Sequence, residues 1–149
     1  MISCVDYCNT VLAKSPKVTT DNLQRVVNSA AHVISNTGKY DSGLTRILYD
    51  DLHLLDVTDR IRFKLAVLLY RCLQRTALQY LMNSCMPTID VAGRQHLRSA
   101  TQRKLIVPRY RLNSFGPSTW NSLPDSLREP ELSLDMFRRQ LKTYLFAKY

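Results

Sequence analysis

DVTDRIRFKLAVLLYRCLQRTALQYL, residues Asp56 to Leu81, is the stretch with the plainest helical pattern in this chain. At about 100° per residue, its apolar side chains fall on one broad face. That face carries Ile61, Leu65, Leu68, Leu69, Cys72 and Leu73. A narrow basic seam lies opposite and carries Arg60, Lys64, Arg71 and Arg75. Asp56 or Thr58 is suited to cap the first turn, because its side-chain oxygen accepts a hydrogen bond from a free backbone N–H. The pattern predicts one long core helix with a basic edge.

The residues before this stretch predict three shorter helices. The first runs up to Leu12 and is interrupted by Ser15-Pro16. The second starts at the caps Thr19-Thr20 and ends near Gly38, a residue that suits a left-handed C-terminal position. The third follows Ser42 and places Leu44, Ile47, Leu48 and Leu52 on one side. Connections this short favour an antiparallel bundle.

The residues after Leu81 have a different character. Residues 87–102 are polar and predict a loop or linker. Residues 105–112 alternate like a short extended segment, which Pro108 would confine to a sheet edge or bulge. The residues Phe115-Gly116-Pro117 predict a turn, because glycine and proline are common in turns. An irregular stretch with three apolar anchors follows. These anchors are Trp120, Leu123 and Leu127. Ser133 can cap a last helix whose predicted buried stripe is Leu134, Phe137, Leu141, Tyr144 and Leu145.

The pattern as a whole predicts a mainly α fold. Residues 1–86 would form a small antiparallel helical bundle. Residues 87–130 would form a basic, partly irregular segment with a short strand, and residues 131–149 a C-terminal helix. With 149 residues, of which 45% are hydrophobic, the chain is large enough to bury a core.

Charge is distributed unevenly along the chain. The formal net charge is +9, and no Asp or Glu occurs from Val91 to Pro124. We call this stretch the cationic segment. Its candidate nucleic-acid-binding residues are Arg94, Arg98, Arg103, Lys104, Arg109 and Arg111. Such a run attracts phosphate, although acids elsewhere in the fold could balance it. The neighbouring aromatic rings Tyr110, Phe115 and Trp120 would either stack on bases or pack inward.

Self-contained catalysis is not expected. Tyr49-Asp50-Asp51 resembles a polymerase metal box, but it lies within a helical pattern and no strand-forming run flanks it. The four cysteines show neither C-x-x-C spacing nor a nearby His pair, so they do not predict a zinc finger or zinc knuckle, and Cys72 is expected in the core. The sequence predicts no metal and no cofactor. It contains neither a membrane-spanning run nor a signal peptide, so we expect a soluble, unexported protein of the nucleus or cytoplasm without disulfides.

Eight phrases, in the same order, resemble the tail that follows the reverse transcriptase domain of LINE-type non-LTR retrotransposons. The resemblance is to the group that carries an apurinic-type endonuclease at its front. The phrases are VDYCNTVL (5–12), LQRVVNSAAHVI (23–34), KYD (39–41), LHLLDVTDRIRFKLAVLLYRCL (52–73), HLRSA (96–100), LIVPRYRLNSFG (105–116), TWNSLPDSLR (119–128) and FRRQLKTYLF (137–146). Together they cover nearly the whole chain.

The resemblance implies a parent RNA-directed DNA polymerase that copies its transcript at a nicked genomic target. It also implies that this tail holds RNA or DNA, and it maps no catalytic residue of the family onto this chain. We therefore expect a non-catalytic fragment with affinity for the nucleic-acid backbone. The alternative is a co-opted or decayed remnant that acts only as a protein-interaction module, whose basic seam would meet an acidic partner.

One departure from the family pattern carries a structural prediction. Members of the family have an Arg-Ala-Phe-Ser type segment before the Trp-Asn-Ser-Leu-Pro phrase, whereas here Phe115-Gly116-Pro117 runs almost directly into Trp120. If the lost segment normally pairs with residues 105–112, backbone donors and acceptors there would be unpaired. The sequence therefore predicts a loose region around residues 104–118.

Overall fold

The structure is a computed structural model. It describes residues 9–37, 43, 46–83, 85–93, 95, 96, 98, 102–108 and 115–149. The chain divides into two compact units, one formed by Met1–Arg62 with Thr143–Tyr149 and the other by Phe63–Lys142. The three segments predicted from composition, 1–86, 87–130 and 131–149, stay a prediction. The mainly helical character and the C-terminal helix are confirmed.

The five α-helices of the described residues are numbered α1 to α5. They are α1 (Lys17–Ser35), α2 (Val57–Leu73), α3 (Gln79–Asn83), α4 (Phe115–Asn121) and α5 (Leu134–Phe146). Short 3₁₀ segments cover Asn9–Lys14, Thr88–Asp90 and Asp125–Arg128, and a π-turn covers Ile47–Asp51. The described residues contain no β-strand. Their one isolated antiparallel bridge joins Pro87 to Leu105. Of the predicted short strand, residues 105–108 are described and do not form a strand, and residues 109–112 lie outside the described residues.

The first unit is built around the apolar face of α1. Val27 and Ala31 of this helix pack with Leu48 of the π-turn and with Val57 and Ile61 at the start of α2. The π-turn confirms that Tyr49 and Asp50 lie in helical backbone and not on a hairpin. The sequence predicted a helix here that follows Ser42 and includes Leu44; both of these residues lie outside the described residues.

A polar cluster closes the same unit at the start of α2. The Asp59 carboxylate is buried and accepts hydrogen bonds from Arg62, Lys148 and Tyr149. The Tyr149 ring stacks on Tyr49 with centroids 3.8 Å apart. Asp56 accepts hydrogen bonds from both tyrosine hydroxyls.

The first N–H of α2 is satisfied by a residue of another helix. Gln24 of α1 accepts from the Val57 N–H at 2.8 Å, so the Asp56 carboxylate serves the tyrosines instead of capping the helix. Arg60, predicted on the basic seam, is 8% exposed, and its Nε–H donates to the Leu55 carbonyl. The basic edge of this helix is therefore partly buried.

The core of the second unit is aromatic. Tyr70 of α2 stacks on Phe137 of α5 with centroids 4.3 Å apart, and Trp120 of α4 lies 6.1 Å from the Phe137 ring. Leu123 and Leu127 are also buried, which confirms the predicted anchors. Their surroundings differ from the prediction, because α4 replaces the turn and irregular stretch predicted around Pro117.

The prediction of one helix from Asp56 to Leu81 is wrong, because α2 ends at Leu73. Arg75 adopts a left-handed φ of 56°. Its N–H donates to the Cys72 carbonyl, and the Thr76 N–H donates to the Arg71 carbonyl. These two bonds form a Schellman motif, which satisfies carbonyls at a helix end. The helical pattern continues into α3 only after this break.

The ends of α1 also differ from the predicted ends. The helix begins at Lys17, with Pro16 in the capping position, and the Thr20 hydroxyl donates to the Lys17 carbonyl instead of capping. At the other end Asn36 takes the left-handed conformation predicted for Gly38, which lies outside the described residues. Asparagine tolerates this conformation through its short polar side chain.

The last helix agrees closely with the prediction. The Ser133 hydroxyl accepts from the Met136 N–H, and Phe137, Leu141 and Leu145 are at most 2% exposed. Tyr144 is 38% exposed, so its predicted place in the buried stripe is wrong. Among the described residues, no helix has both the length and the apolar character needed to cross a membrane.

Candidate nucleic-acid interface

The described part of the cationic segment is held by two consecutive residues of α4. Asn121 accepts from the Leu105 N–H at 2.8 Å and donates to the Leu105 carbonyl at 2.9 Å. Trp120 donates from Nε1 to the Arg103 carbonyl at 3.0 Å. We call these two residues the Trp-Asn clamp. Its asparagine amide makes the two hydrogen bonds that a neighbouring strand would supply.

The residues around Pro87 bind the same stretch of backbone. The Thr88 N–H and hydroxyl both donate to the Lys104 carbonyl, at 2.9 and 2.8 Å. The Ile106 N–H donates to the Met86 carbonyl at 3.0 Å. The prediction of unpaired backbone groups is therefore wrong for the Lys104 carbonyl, for both backbone groups of Leu105 and for the Ile106 N–H. The beginning of the predicted loop at residues 87–102 is also tied to this backbone.

The position of the clamp follows from the packing of Trp120. Trp120 is 1% exposed and lies against Tyr70 and Phe137, so α4 is fixed by the aromatic core. Gly116 at the start of α4 lies against Leu69, where a Cβ would come within 3.7 Å of a side-chain methyl. Two roles were considered for the Trp120 ring, stacking on a base and packing inward. The structure shows that it packs inward.

The six predicted cations divide into two sets. Arg94, Arg109 and Arg111 lie outside the described residues. Arg98 and Arg103 are exposed, and Lys104 is half-buried. Arg103 has a left-handed φ of 50°. Among the residues that the structure describes, no acid forms an ion pair with Arg103 or Lys104.

Next to the clamp lies a cavity of about 300 Å³, which we call the slot. Flat or apolar side chains form most of its lining: Tyr70, Leu73, Pro87, Ile89, Trp120 and Pro130. Its polar lining consists of Gln74, Arg103, Arg128 and Glu129. The slot therefore brings the predicted cation Arg103 together with a second arginine, Arg128, that was not predicted as a site residue.

Arg128 is the most unusual group of the slot. It is 5% exposed, and burial lowers the pKa of its guanidinium. Its Nη1 donates to the Asn121 carbonyl at 3.1 Å, and its Nη2 forms an ion pair with Asp125. Among the described residues its Nε–H has no hydrogen-bond partner. A buried donor of this kind is costly unless something accepts from it.

Sequence reasoning missed Arg128 because the residue lies outside the acid-free run that singled out the other cations. The one signal in the sequence is the Asp125-to-Arg128 spacing of three, which allows an ion pair within one helical turn. Burial of the arginine depends on the contacts of the 3₁₀ segment Asp125–Arg128, and a local pattern does not report these contacts.

A second cavity in this unit, of about 460 Å³, is lined by Cys72 and Cys85. Both thiols are free, and Cys72 is buried as predicted. Cys85 donates a hydrogen bond to the Cys72 sulfur, and burial raises the pKa of both thiols, that of Cys85 to about 12. Within the described residues, no three metal-ligating side chains lie together.

Comparisons of the chain with protein-family models, with curated proteins and with solved structures gave no match.

Proposed function

We propose that this chain is the non-catalytic tail of a non-LTR retrotransposon reverse transcriptase and that its cationic segment binds the backbone of RNA or DNA. Its parent would be an RNA-directed DNA polymerase acting in target-primed reverse transcription. The proposal of origin rests on the eight phrases in family order. The proposal of binding rests on one structural observation, namely that Arg103 and Lys104 have no acid partner among the described residues.

The clamp supports this proposal in a second way. Trp120 and Asn121 bind main-chain atoms of residues 103 and 105, so the side chain of Arg103 is left exposed. A fixed backbone reduces the conformational entropy that a phosphate contact would otherwise cost. Arginine donates two parallel hydrogen bonds to phosphate, which suits it to this task.

The test is equilibrium binding of labelled single-stranded RNA, single-stranded DNA and duplex DNA to the full chain at low salt. The binding variant replaces four arginines by Glu: Arg98, Arg103, Arg109 and Arg111. Its matched control replaces four exposed arginines outside the cationic segment by Glu: Arg25, Arg71, Arg75 and Arg138. Both variants change the net charge equally. The proposal expects weak binding only in the first variant, and equal losses in the two variants would refute it.

The proposal also states that this chain does not polymerise nucleotides on its own. A primer-extension assay with magnesium and a primed RNA template should therefore give no product above the level without protein. Template-dependent extension by the isolated 149-residue chain would contradict the assignment as a non-catalytic tail.

A second candidate function is that of a protein-interaction module, and the surface of α1 favours it. This helix exposes the large apolar side chains of Val18, Val26, Val33 and Ile34, with exposures of 52 to 81%. Exposed apolar stripes mark interaction surfaces. A partner retained in a pull-down after nuclease treatment, and lost on Val33→Glu, would favour this function over nucleic-acid binding.

A further inference from the structure

We propose that the slot binds an unstacked nucleobase of a single strand, whose phosphate is held by Arg103 at the edge and whose acceptor edge is met by the Arg128 Nε–H. This inference rests on the proposed function, because it names the form of nucleic acid that the cationic segment would hold. It adds a specific contact with the base to contacts with the backbone.

The walls of the slot fit a flat ligand. Pro87 and Pro130 offer flat pyrrolidine faces, while Tyr70 and Trp120, which are 4% and 1% exposed, contribute only the small part of their surface that the core leaves open. The volume of about 300 Å³ is at the lower end of the range of ligand pockets, which suits one base better than a folded peptide. Bases in single strands commonly stack on such surfaces, since every base has a π-face.

The polar groups of the slot favour a base over a simple anion. Arg128 has a buried N–H donor without a partner among the described residues, and the exposed, acidic residue Glu129 lines the same cavity. A nucleobase edge carries both carbonyl or ring-nitrogen acceptors and amino donors, so it can satisfy both groups. A free phosphate or carboxylate would satisfy the donor but would be repelled by Glu129. Arg128 and Glu129 therefore favour a ligand that both accepts and donates hydrogen bonds.

The first test compares two single strands of equal length in binding to the wild-type chain. One strand carries bases and the other is abasic, so the two have the same number of phosphates. Stacking of one base predicts about fivefold or greater preference for the base-bearing strand. Equal affinity would overturn the slot proposal while phosphate binding stands. Binding of neither strand at low salt would overturn the proposed function, and with it this inference.

The second test uses Trp120 itself, which is the only tryptophan in the sequence and lines the slot. A nucleoside monophosphate should change its fluorescence in a saturable way. Inorganic phosphate and a proline-rich peptide should not do so. A response to phosphate equal to the nucleotide response would show an anion site only. A response to the peptide alone would show a peptide groove. Either result would overturn the proposal.

The third test fills the slot without changing charge. Ile89 lines the slot and is 52% exposed, so Ile89→Trp adds bulk at its entrance. The matched control is Leu78→Trp, at a residue that is 64% exposed and does not line the slot. The first variant should lose the preference for base-bearing strands, and the control should keep it. Retention of the full preference in Ile89→Trp would overturn the proposal. The two wild-type tests decide the matter if that variant fails to fold.

Discussion

The side-chain amide of Asn121 takes the place of a β-strand beside Leu105. It accepts from the Leu105 N–H and donates to the Leu105 carbonyl, at 2.8 and 2.9 Å. Leu105 is 2% exposed, so water cannot easily replace either bond. This one side chain therefore satisfies two backbone groups that the sequence had suggested were unpaired.

Asn121→Ala should lower the free energy of unfolding by about 2 kcal/mol, because it leaves a buried N–H and a buried carbonyl without partners. Urea unfolding measures the change, and hydrogen exchange at the Leu105 amide should show lost protection. The control is Asn83→Ala, which removes only an exposed side-chain contact with Gln79. Comparable stability losses in the two variants would show that the clamp is not structural.

Arg75→Gly should raise the free energy of unfolding by about 1 kcal/mol. Arg75 adopts φ 56° at the end of α2, and a residue with a Cβ is strained there while glycine is not. The contrasting variant is Arg71→Gly within the last turn of α2, which should lower stability by about 1 kcal/mol. Thermal or urea unfolding gives both values. Destabilisation by Arg75→Gly would show that the arginine side chain makes a contact that outweighs the strain.

Periodicity predicted the helices well but did not predict where they end. The stripe of Phe137, Leu141 and Leu145 could be read directly, because burial on one face repeats with the helical period. The end of α2 could not be predicted in this way, because Arg75 has no intrinsic preference for the left-handed conformation that it adopts there. The Asn121–Leu105 pair was equally hidden, because it joins residues 16 positions apart. The sequence predicted the cations of the candidate site but not the slot. Arg128 joins this site only when the chain folds, so no local pattern could have included it.

The stability of the first unit should fall as pH rises above about 10, the ordinary pKa of tyrosine. Burial, and then hydrogen bonds to Asp56 and Asp59, raise the pKa of Tyr49 and Tyr149. A pKa raised by folding stabilises the fold below the unfolded value and loses that contribution as pH rises towards the folded value. Denaturation curves between neutral and alkaline pH measure the effect.

Tyr149→Phe tests which hydroxyl is responsible for this alkaline loss. It should lower stability at neutral pH and reduce the fall above pH about 10. Tyr144→Phe is the matched control, because Tyr144 lies nearby in α5 and is exposed. An unchanged alkaline fall in Tyr149→Phe would remove this residue from the explanation.

Cys85 should react slowly with iodoacetamide while the chain is folded. The thiolate is the reactive form, and burial next to Cys72 raises the pKa of Cys85 to about 12. At pH about 8.5, modification in the folded chain should be more than about a hundredfold slower than in urea. Peptide mass spectrometry follows the site directly. Similar rates in the folded and unfolded chain would contradict the raised pKa of Cys85.

The salt dependence of nucleic-acid binding tests the central claim most directly. Each phosphate contact on a single strand adds about −0.7 to the slope of log affinity against log salt concentration. Contacts from all six predicted cations would give a slope of about −4, and reversing four of the arginines should flatten it by about 3. A steep slope that flattens in this variant, but not in the control with four reversals elsewhere, is the predicted result. A slope near zero, or one unaffected by the reversal, would contradict the claim.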